Sequence, residues 1–357
     1  MFAPRRLGIS RRLFSTSPRA HHENPLVRID SNLRDQSLKE GQGLPKRGQS
    51  QAPQMPRKSG PIQRRPIANV DKVLAVASGK GGVGKSTVAV NLAFALALRK
   101  NPQTGASLRV GILDLDIFGP SIPTLMGLQN AGEPALTDIG SILPLTNHGL
   151  PCMSMGFLIR STNPASEDND NTDTPIVWRG LMVQKAVQQL LFDVDWSKNG
   201  QGLDVLVVDM PPGTGDVPLT LGQLVTVDGA VIVSTPQDVA LSDVRKGIAM
   251  LRKVSVPITG LILNQAYYLC PGCKTNVPRY LFGKPDNFHK VAQRLEIPVL
   301  GELPLVEGVS ASADRGSSYM LNNLASVEAS DGEGGLTWRT NMARAAEQIA
   351  GSLWKTT

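Results

Sequence analysis

GKGGVGKS, residues 79–86, decides the fold. It fits the pattern G-x-x-x-x-G-K-[ST] and lies between an apolar strand pattern, KVLAVAS (72–78), and a helical pattern over residues 84–100. Glycines in such a loop let successive backbone N–H groups point at phosphate oxygens, and the N-terminus of the following helix adds partial positive charge. We therefore expect Lys85 to reach the β- and γ-phosphates of ATP or GTP, and the Ser86 hydroxyl to bind Mg²⁺.

Apolar strand patterns and amphipathic helical patterns alternate along the chain from about residue 70. The strand candidates are residues 72–78, 109–116, 204–210, 229–235, 258–264 and 298–304. Helical patterns cover residues 84–100, 179–194, 241–254, 286–296 and about 338–353. Because continuous Val, Ile and Leu runs are typical of strands covered on both faces, we predict an α/β fold with one doubly wound, mainly parallel sheet. Two acidic, polar stretches, 166–174 and 328–335, are predicted to be surface loops.

Aspartates follow two of the buried strand patterns. Asp209 comes after four apolar residues in VLVVDMPPGTGD, so it would stand at the carboxyl end of a strand and hold Mg²⁺ through water. Asp116 closes the neighbouring strand in LDLDIFGPS. Asp114 precedes it by two residues and points to the same side, so it is either a second site residue or a buried acid with satisfied hydrogen bonds, and we favour a supporting role.

A second lysine in the loop, Lys80, makes GKGGVGKST resemble the deviant P-loop ATPases of the MinD and nitrogenase iron protein type. The resemblance implies that Lys80 reaches across a dimer interface to the partner's nucleotide, where its charge acts as an arginine finger does. It also implies that Asp116 positions the attacking water and that Asn264 contacts the adenine ring. The chain reads NQAY from Asn264, not the N-K-x-D of guanine-specific proteins, which favours ATP.

This resemblance therefore predicts an ATPase of slow turnover whose catalytic residues are Lys80, Lys85 and Asp116. The residues expected to contact ATP or Mg²⁺ are Gly79, Lys80, Gly81, Gly82, Val83, Gly84, Lys85, Ser86, Thr87, Asp209 and Asn264.

Six motifs extend the resemblance to about residues 70–320. DLDIFGPS (114–121), MSMGF (153–157), WRG (178–180), DMPPGTGD (209–216), STPQ (234–237) and CPGC (270–273) occur in the order and spacing of the Mrp/nucleotide-binding-protein family of iron-sulfur carriers. The chain is most similar to the mitochondrial branch, which is implicated in assembling respiratory complex I. Residues 1–151 contain no cysteine, unlike the cytosolic branch with its extra N-terminal cysteine cluster. The chain departs from the family pattern at residues 265–267 and in RYLFG (279–283), which leaves the expected metal ligands unchanged.

The CPGC segment offers two thiols, Cys270 and Cys273, which is half of what a [4Fe-4S] cluster or a tetrahedral zinc ion needs. A two-fold dimer repeats each residue across its axis and would supply the other half. We therefore predict one [4Fe-4S] cluster bridged by both cysteines of two subunits, although a shared structural zinc ion would use the same ligands. A thioredoxin-like redox pair is disfavoured because KTNVP, after Cys273, is no helix start. Cys152 lies alone in an apolar run and is expected to be buried.

These features favour an ATP-dependent carrier that delivers a [4Fe-4S] cluster to mitochondrial apoproteins, with complex I subunits as the expected clients. Two other functions use the same loop. A MinD- or ParA-like positioning switch needs a basic surface or a basic amphipathic helix, but the C-terminal segment is mixed in charge. An electron-transfer reductase of the nitrogenase type takes its cysteines from two distant sites, whereas CPGC places both on one turn.

Charge is distributed unevenly along the chain. Residues 1–66 hold 14 Lys/Arg and four Asp/Glu, whereas the other 291 hold 23 and 26. The folded body is therefore slightly acidic, which gives no support for nucleic-acid binding. Residues 1–22, rich in arginine and without an acid, are typical of a mitochondrial presequence, so we expect the matrix as the location. Residues 23–69 are predicted to be a disordered linker and 70–357 the ATPase domain, with no integral membrane segment.

Overall fold

The computed structural model describes residues 64–159, 180–197, 200–273 and 276–354. Within these residues one sheet has eight strands in the order β3-β4-β2-β5-β1-β6-β7-β8. The strands are β1 (Val70–Ser78), β2 (Val110–Asp114), β3 (Leu145–Asn147), β4 (Leu150–Ser154), β5 (Leu203–Asp209), β6 (Gly229–Ser234), β7 (Ile258–Leu263) and β8 (Val299–Glu302). All neighbours pair in parallel except β3 and β4, which are antiparallel. The doubly wound, mainly parallel sheet is confirmed.

Helices cover the sheet in two groups. They are α1 (Lys85–Ala97), α2 (Ile122–Leu125), α3 (Met155–Ile159), α4 (Gly180–Phe192), α5 (Asp216–Leu224), α6 (Asp238–Lys253), α7 (Asp286–Arg294), α8 (Glu307–Asp314) and α9 (Leu324–Leu353). Helix α1 packs against α9, and α4, α5, α6 and α7 pack in series. Helix α1 contacts β5 and its neighbours β1 and β2, and α6 contacts β1, β6 and β7; strand β5 is buried along its whole length.

The register of the central strands positions the site. Strand β5 lies between β1 and β2, with Asp209 opposite Val76 on one side and Asp114 on the other. The strands are parallel, so their carboxyl ends meet at one edge of the sheet, where the loop after β1 also begins. Three segments that are distant in sequence therefore converge at this edge.

The stretch 328–335 was predicted to be a loop, and that prediction is wrong. Helix α9 begins at Leu324 and continues through this stretch, with one non-helical residue at Gly332. The acid and glycines serve packing: Asp331 is buried and accepts hydrogen bonds from the backbone N–H of Gly308 and the hydroxyl of Tyr319. A Cβ on Gly335 would collide with that hydroxyl. Tertiary contacts thus override a composition that is typical of loops.

Residues before 70, where the linker was predicted to end, also contact the domain. The backbone N–H of Arg65 donates to Leu224 at 2.9 Å, and the Ile67 side chain lies in the core. The predicted presequence, most of the predicted linker, the stretch 166–174 and Trp178 and Arg179 of the WRG motif lie outside the described residues. No helix in the described part of the chain combines the length and the hydropathy needed to cross a membrane.

Candidate nucleotide site and cysteine turn

The phosphate loop joins β1 to α1 through residues 79–84. Gly82 and Gly84 both have a φ of +78°, a left-handed conformation that favours glycine. Gly84 also precedes the first turn of α1, whose N–H groups have no partner within the helix. The loop therefore ends at a helix N-terminus suited to an anion.

A buried ion pair closes the inner end of the site. Lys85 is 6% exposed, and its ammonium pairs with Oδ1 of Asp209, which is fully buried. The Lys85 ammonium also lies 3.2 Å from Oγ of Ser86, to which it donates a hydrogen bond. Because both charges are held away from water, each depends on the other for compensation.

The second oxygen of Asp209 indicates a cation site. Oδ2 is buried, and no hydrogen-bond partner is found for it among the described residues. Burial raises the pKa of Asp209, while Lys85 and Ser86 act in the opposite direction. A buried carboxylate oxygen without a partner, beside a serine hydroxyl, is a hard oxygen donor set of the kind that Mg²⁺ prefers. Asp209 and Ser86 therefore fit this ion.

Asp114 supports the neighbouring loop. Its Oδ1 accepts a hydrogen bond from the backbone N–H of Asp116 at 2.9 Å, and its Oδ2 accepts from the N–H of Ile122 at 3.2 Å and from the Ser154 hydroxyl at 3.0 Å. Burial, with a further contribution from Asp209, raises the pKa of Asp114 to about 7. Both oxygens are engaged, which accords with the supporting role favoured from the sequence.

Asp116 and Lys80 face a cleft of about 440 Å³ that opens above the phosphate loop. Partial burial raises the pKa of Asp116, although the nearby Lys85 opposes the shift. The side chain of Lys80 is half-buried, and no hydrogen bond or ion pair to its ammonium is found within the described ranges. Both side chains are therefore available to a ligand in the cleft.

The cleft brings together most of the predicted nucleotide residues. Those that line it are Lys80, Gly81, Gly82, Gly84, Lys85, Ser86, Thr87 and Asp116, whereas Gly79, Val83, Asp209 and Asn264 do not. Sequence reasoning missed six further lining residues, Ser78, Pro120, Ser121, Thr124, Leu125 and Pro212. The signal was present, because Pro120 and Ser121 belong to the quoted DLDIFGPS motif, whose place next to Asp116 points to the same edge of the sheet.

The side-chain amide of Asn264 contacts the phosphate loop. Its Nδ2 donates to the Val83 carbonyl at 2.9 Å, and a Cβ built on Gly84 would collide with the same amide group. Its own backbone N–H donates to Ser234 in β6 at 2.7 Å. The amide of Asn264 therefore holds the phosphate loop through Val83, and the predicted contact with adenine stays a prediction.

The cysteines lie on an exposed turn. Cys270 is half-buried and Cys273 is exposed, and the N–H of Cys273 donates to the Cys270 carbonyl at 3.1 Å. A hydrogen bond from the Cys273 thiol lowers the pKa of Cys270 and raises the pKa of Cys273, and the positive charge of Arg279 makes a smaller contribution that favours the thiolate form of each. The ionisation of each thiol therefore depends on the other.

This pair is incomplete as a metal site. No group of three or more His, Cys, Asp or Glu side chains able to hold a metal ion is found in the described part of the chain. The third cysteine, Cys152, is fully buried in β4, and burial raises the pKa of its thiol to about 12, so it stays protonated. Within the part of the chain that the structure describes, this turn therefore supplies two of the four ligands of a four-fold site.

The fold and the loop define the class of protein. A mainly parallel α/β sheet carries a GKGGVGKS loop after its central strand, with Lys80 in addition to Lys85. This is a P-loop NTPase of the MinD/ParA-like, deviant type.

The family follows from comparison with known proteins. Residues 69–332 match the family described as ParA, NUBPL iron-transfer P-loop NTPase. This match covers well over half of the sequence, and the chain belongs to that family.

Relatives of known name share most of the chain. The chain is 48% identical over 267 residues to the mouse "Iron-sulfur cluster transfer protein NUBPL". The aligned region spans 75% of this chain and 76% of the mouse protein. It is 42% identical over 261 residues to the Arabidopsis thaliana "Iron-sulfur protein required for NADH dehydrogenase, mitochondrial", covering 73% and 75% of the two chains. A solved nucleotide-binding protein from Archaeoglobus fulgidus, in complex with ADP, has a TM-score of 0.54 and 35% identity over 70% of this chain and 87% of that one.

Proposed function

We propose that this protein is an ATP-dependent carrier that binds a [4Fe-4S] cluster between two subunits and delivers it to apoproteins in the mitochondrial matrix. The observation that carries the proposal is the pair of thiols on one exposed turn, in the same domain as a complete phosphate loop. The names of the mouse and Arabidopsis relatives support the cargo and the compartment.

The nucleotide half of the function lies at the edge of the sheet. The N–H groups of the loop would hold the phosphates of ATP, and Lys85 would move from Asp209 to the β- and γ-phosphates. Ser86 and Asp209 would hold Mg²⁺, which neutralises the charge that develops on the transferring phosphoryl group. Asp116, with its raised pKa, would orient the attacking water.

Hydrolysis would need the second subunit. In one chain the Lys80 ammonium faces the cleft without a partner among the residues described. We infer that Lys80 reaches the nucleotide of the partner subunit, as the family resemblance implies. A homodimer would then complete both sites at once, because a two-fold axis repeats Lys80 and the cysteine pair together.

The cargo half rests on Cys270 and Cys273. Four thiolates, two from each subunit, would hold the cluster at an exposed interface from which it could be transferred. Arg279 would help to stabilise the negative charge of these thiolates, since its positive charge favours the deprotonated form of each cysteine.

The destination follows from the N-terminus and the relatives. We propose residues 1–22 as a mitochondrial presequence, residues 23 to about 64 as a linker and the remainder as the carrier domain. The clients are iron-sulfur apoproteins, with complex I subunits favoured because the Arabidopsis relative is required for NADH dehydrogenase.

Anaerobic reconstitution with iron and sulfide tests this function. The wild-type chain should gain a bound cluster, measured as iron, sulfide and charge-transfer absorption, whereas Cys270→Ser should gain none. Cys152→Ala is the matched control, because it removes a thiol that is buried and protonated, and it should load as the wild type does. Zinc without sulfide in the loaded protein, or a Cys270→Ser variant with full iron content, would refute the carrier function.

A further inference from the structure

Helix α9 contains a break that is set by a single residue. Gly332 has φ +59° and ψ −146°, in the middle of a segment that is otherwise helical. This backbone region is essentially restricted to glycine, because a Cβ would meet the neighbouring peptide groups. The break is thus encoded by Gly332 and does not require a distortion imposed from elsewhere.

The break lies against the cysteine turn. A Cβ built on Gly332 would lie 3.5 Å from both Cα and Cβ of Pro271, the residue after Cys270. Two residues further on, a Cβ built on Gly334 would lie 3.5 Å from Cβ of Leu269 and 3.6 Å from its carbonyl oxygen. The backbone of α9 at Gly332 and Gly334 therefore lies next to residues 269–271, with little more than the space of a methyl group between them.

The break is itself fixed to the domain. Asp331 accepts hydrogen bonds from the Gly308 N–H at 3.1 Å and from the Tyr319 hydroxyl at 2.7 Å. Tyr319 is fully buried, and its ring meets that of Trp338 edge to face at 5.4 Å. The supporting surface is therefore rigid.

The chain leading into the turn is fixed as well. Tyr268 and Arg279 exchange two backbone hydrogen bonds of 2.9 Å, and the N–H of Leu305 donates to Tyr267 at 2.7 Å. Beyond Tyr268 the turn has its own hydrogen bond, from the Cys273 N–H to the Cys270 carbonyl. The contact with α9 adds support on the inner side of Pro271.

We propose that Gly332 is a positioning residue for the metal site: its left-handed backbone forms a seat, made of Gly332 and Gly334, that holds the Cys270–Cys273 turn in its ligand-presenting form. This inference rests on the proposed function, in which the two thiols bind a cluster. It predicts that retention of the cluster depends on a helix break that contributes no ligand.

Gly332→Ala in the full chain tests the seat. Alanine disfavours the left-handed backbone, so the break should shift and the turn lose its support. The cluster of the reconstituted variant should be lost to a chelator about tenfold faster than that of the wild type, in line with the effect of groups that orient metal ligands. Its charge-transfer absorption should also change in shape, whereas its affinity for ATP should stay unchanged. Gly351→Ala is the matched control, because Gly351 lies in the same helix with nothing within 4 Å of an added Cβ.

Hydrogen exchange gives a readout that needs no metal. The amide of Cys273 should exchange faster in Gly332→Ala than in the wild type by about tenfold, because its turn bond is no longer supported. If Gly332→Ala does not fold, Gly334→Val should show an increase of the same kind, because a Cβ at residue 334 already makes van der Waals contact with Leu269 at 3.5 Å and the added methyl groups would displace it. Unchanged Cys273 exchange and unchanged cluster retention in a folded variant would overturn the inference. A wild-type chain that takes up no iron would refute the proposed function instead, while the exchange result would still decide whether the seat holds the turn.

Discussion

The phosphate loop and the cysteine turn contrast in how the protein holds them. Lys85 and Asp209 are enclosed by central strands and helix α1, and Asn264 and Asp114 support the loops on either side. The cysteine turn projects from the surface after β7, with one internal hydrogen bond and the α9 contact behind it. A site for phosphate chemistry benefits from exclusion of water and fixed charges, whereas a site that shares its cargo must be reachable by another molecule.

Both regions nevertheless start from the same strand. Asn264, at the end of β7, holds the Val83 carbonyl, and the chain reaches Cys270 six residues later. Ala266 and Tyr267 run alongside the segment that follows β8. The backbone N–H of Ala266 donates to the Leu303 carbonyl, and the N–H of Leu305 donates to the Tyr267 carbonyl. Under the proposed function, one subunit would hold the buried site complete except for a cation from its partner, whereas it would hold only half of the ligands of the exposed site.

The largest expected effect tests whether the buried site is completed from outside. Lys80→Ala should lower the rate of ATP hydrolysis by about 10³-fold, the lower end of what a cation supplied in trans contributes. ATP binding should be largely kept, because the loop N–H groups and Lys85 remain. Steady-state phosphate release and nucleotide titration measure the two effects. Lys253→Ala, an exposed lysine at the end of α6, should leave both unchanged. Turnover at the wild-type rate in Lys80→Ala would show that the site needs no second subunit.

Removal of the buried cation should affect stability as well as binding. Lys85→Ala leaves Asp209 buried without its partner, so the free energy of unfolding should fall by about 3–5 kcal/mol. The double variant Lys85→Ala, Asp209→Asn should recover part of this loss, because no charge is then left uncompensated. Urea unfolding of the two variants measures the difference, and equal stability of Lys85→Ala and wild type would mean that the pair is exposed to water.

Stability should also depend on pH through Asp114. Its folded pKa of about 7 lies above the ordinary value of a free aspartate, so the folded state holds a proton that the unfolded chain releases. The contribution of Asp114 to the free energy of unfolding is therefore fully present below about pH 4 and is lost as the pH rises through 7. The loss amounts to up to roughly 4 kcal/mol. Asp114→Asn, which cannot titrate, should lack this component when unfolding is measured at pH 5 and pH 8. Identical pH slopes would show that the acid is not buried as described.

The smallest expected effect belongs to the exposed site. Cys273→Ser should change the free energy of unfolding by no more than about 0.5 kcal/mol, because the side chain is exposed and its backbone turn bond is retained. The same variant should take up no cluster. Chemical unfolding of the metal-free protein measures the first effect, and a loss of several kcal/mol would mean that the turn belongs to the core.

The local sequence pattern predicted the structure correctly where a single physical requirement decides it. The apolar run before Gly79 and the glycines after it require a strand, a tight loop and a helix, and the parallel sheet follows from repeats of that unit. Strands β3 and β4 were missed because they have only three and five residues, and because β3 lies at the edge of the sheet, where little apolar periodicity is needed. The stretch 328–335 was predicted incorrectly for another reason. Asp331 and Gly335 are required by their contacts with Tyr319, which lies outside the stretch, so the local pattern does not show them.

The candidate site also divides into positions that a local sequence pattern predicts and positions that it does not. The positions of Lys85, Ser86 and Asp116 at the cleft follow from the motif and from strand ends. The amide of Asn264 follows from how closely β7 approaches the phosphate loop, which a sequence pattern does not specify.

The mass of the loaded protein under native, anaerobic conditions tests the central claim most directly. If each chain provides two of four ligands, the species that carries four iron and four sulfide ions has the mass of two chains, and removal of the cluster with a chelator removes the iron-dependent dimer. A single chain that carries a complete cluster, or a dimer whose iron content is unchanged when both Cys270 and Cys273 are replaced by serine, would contradict it.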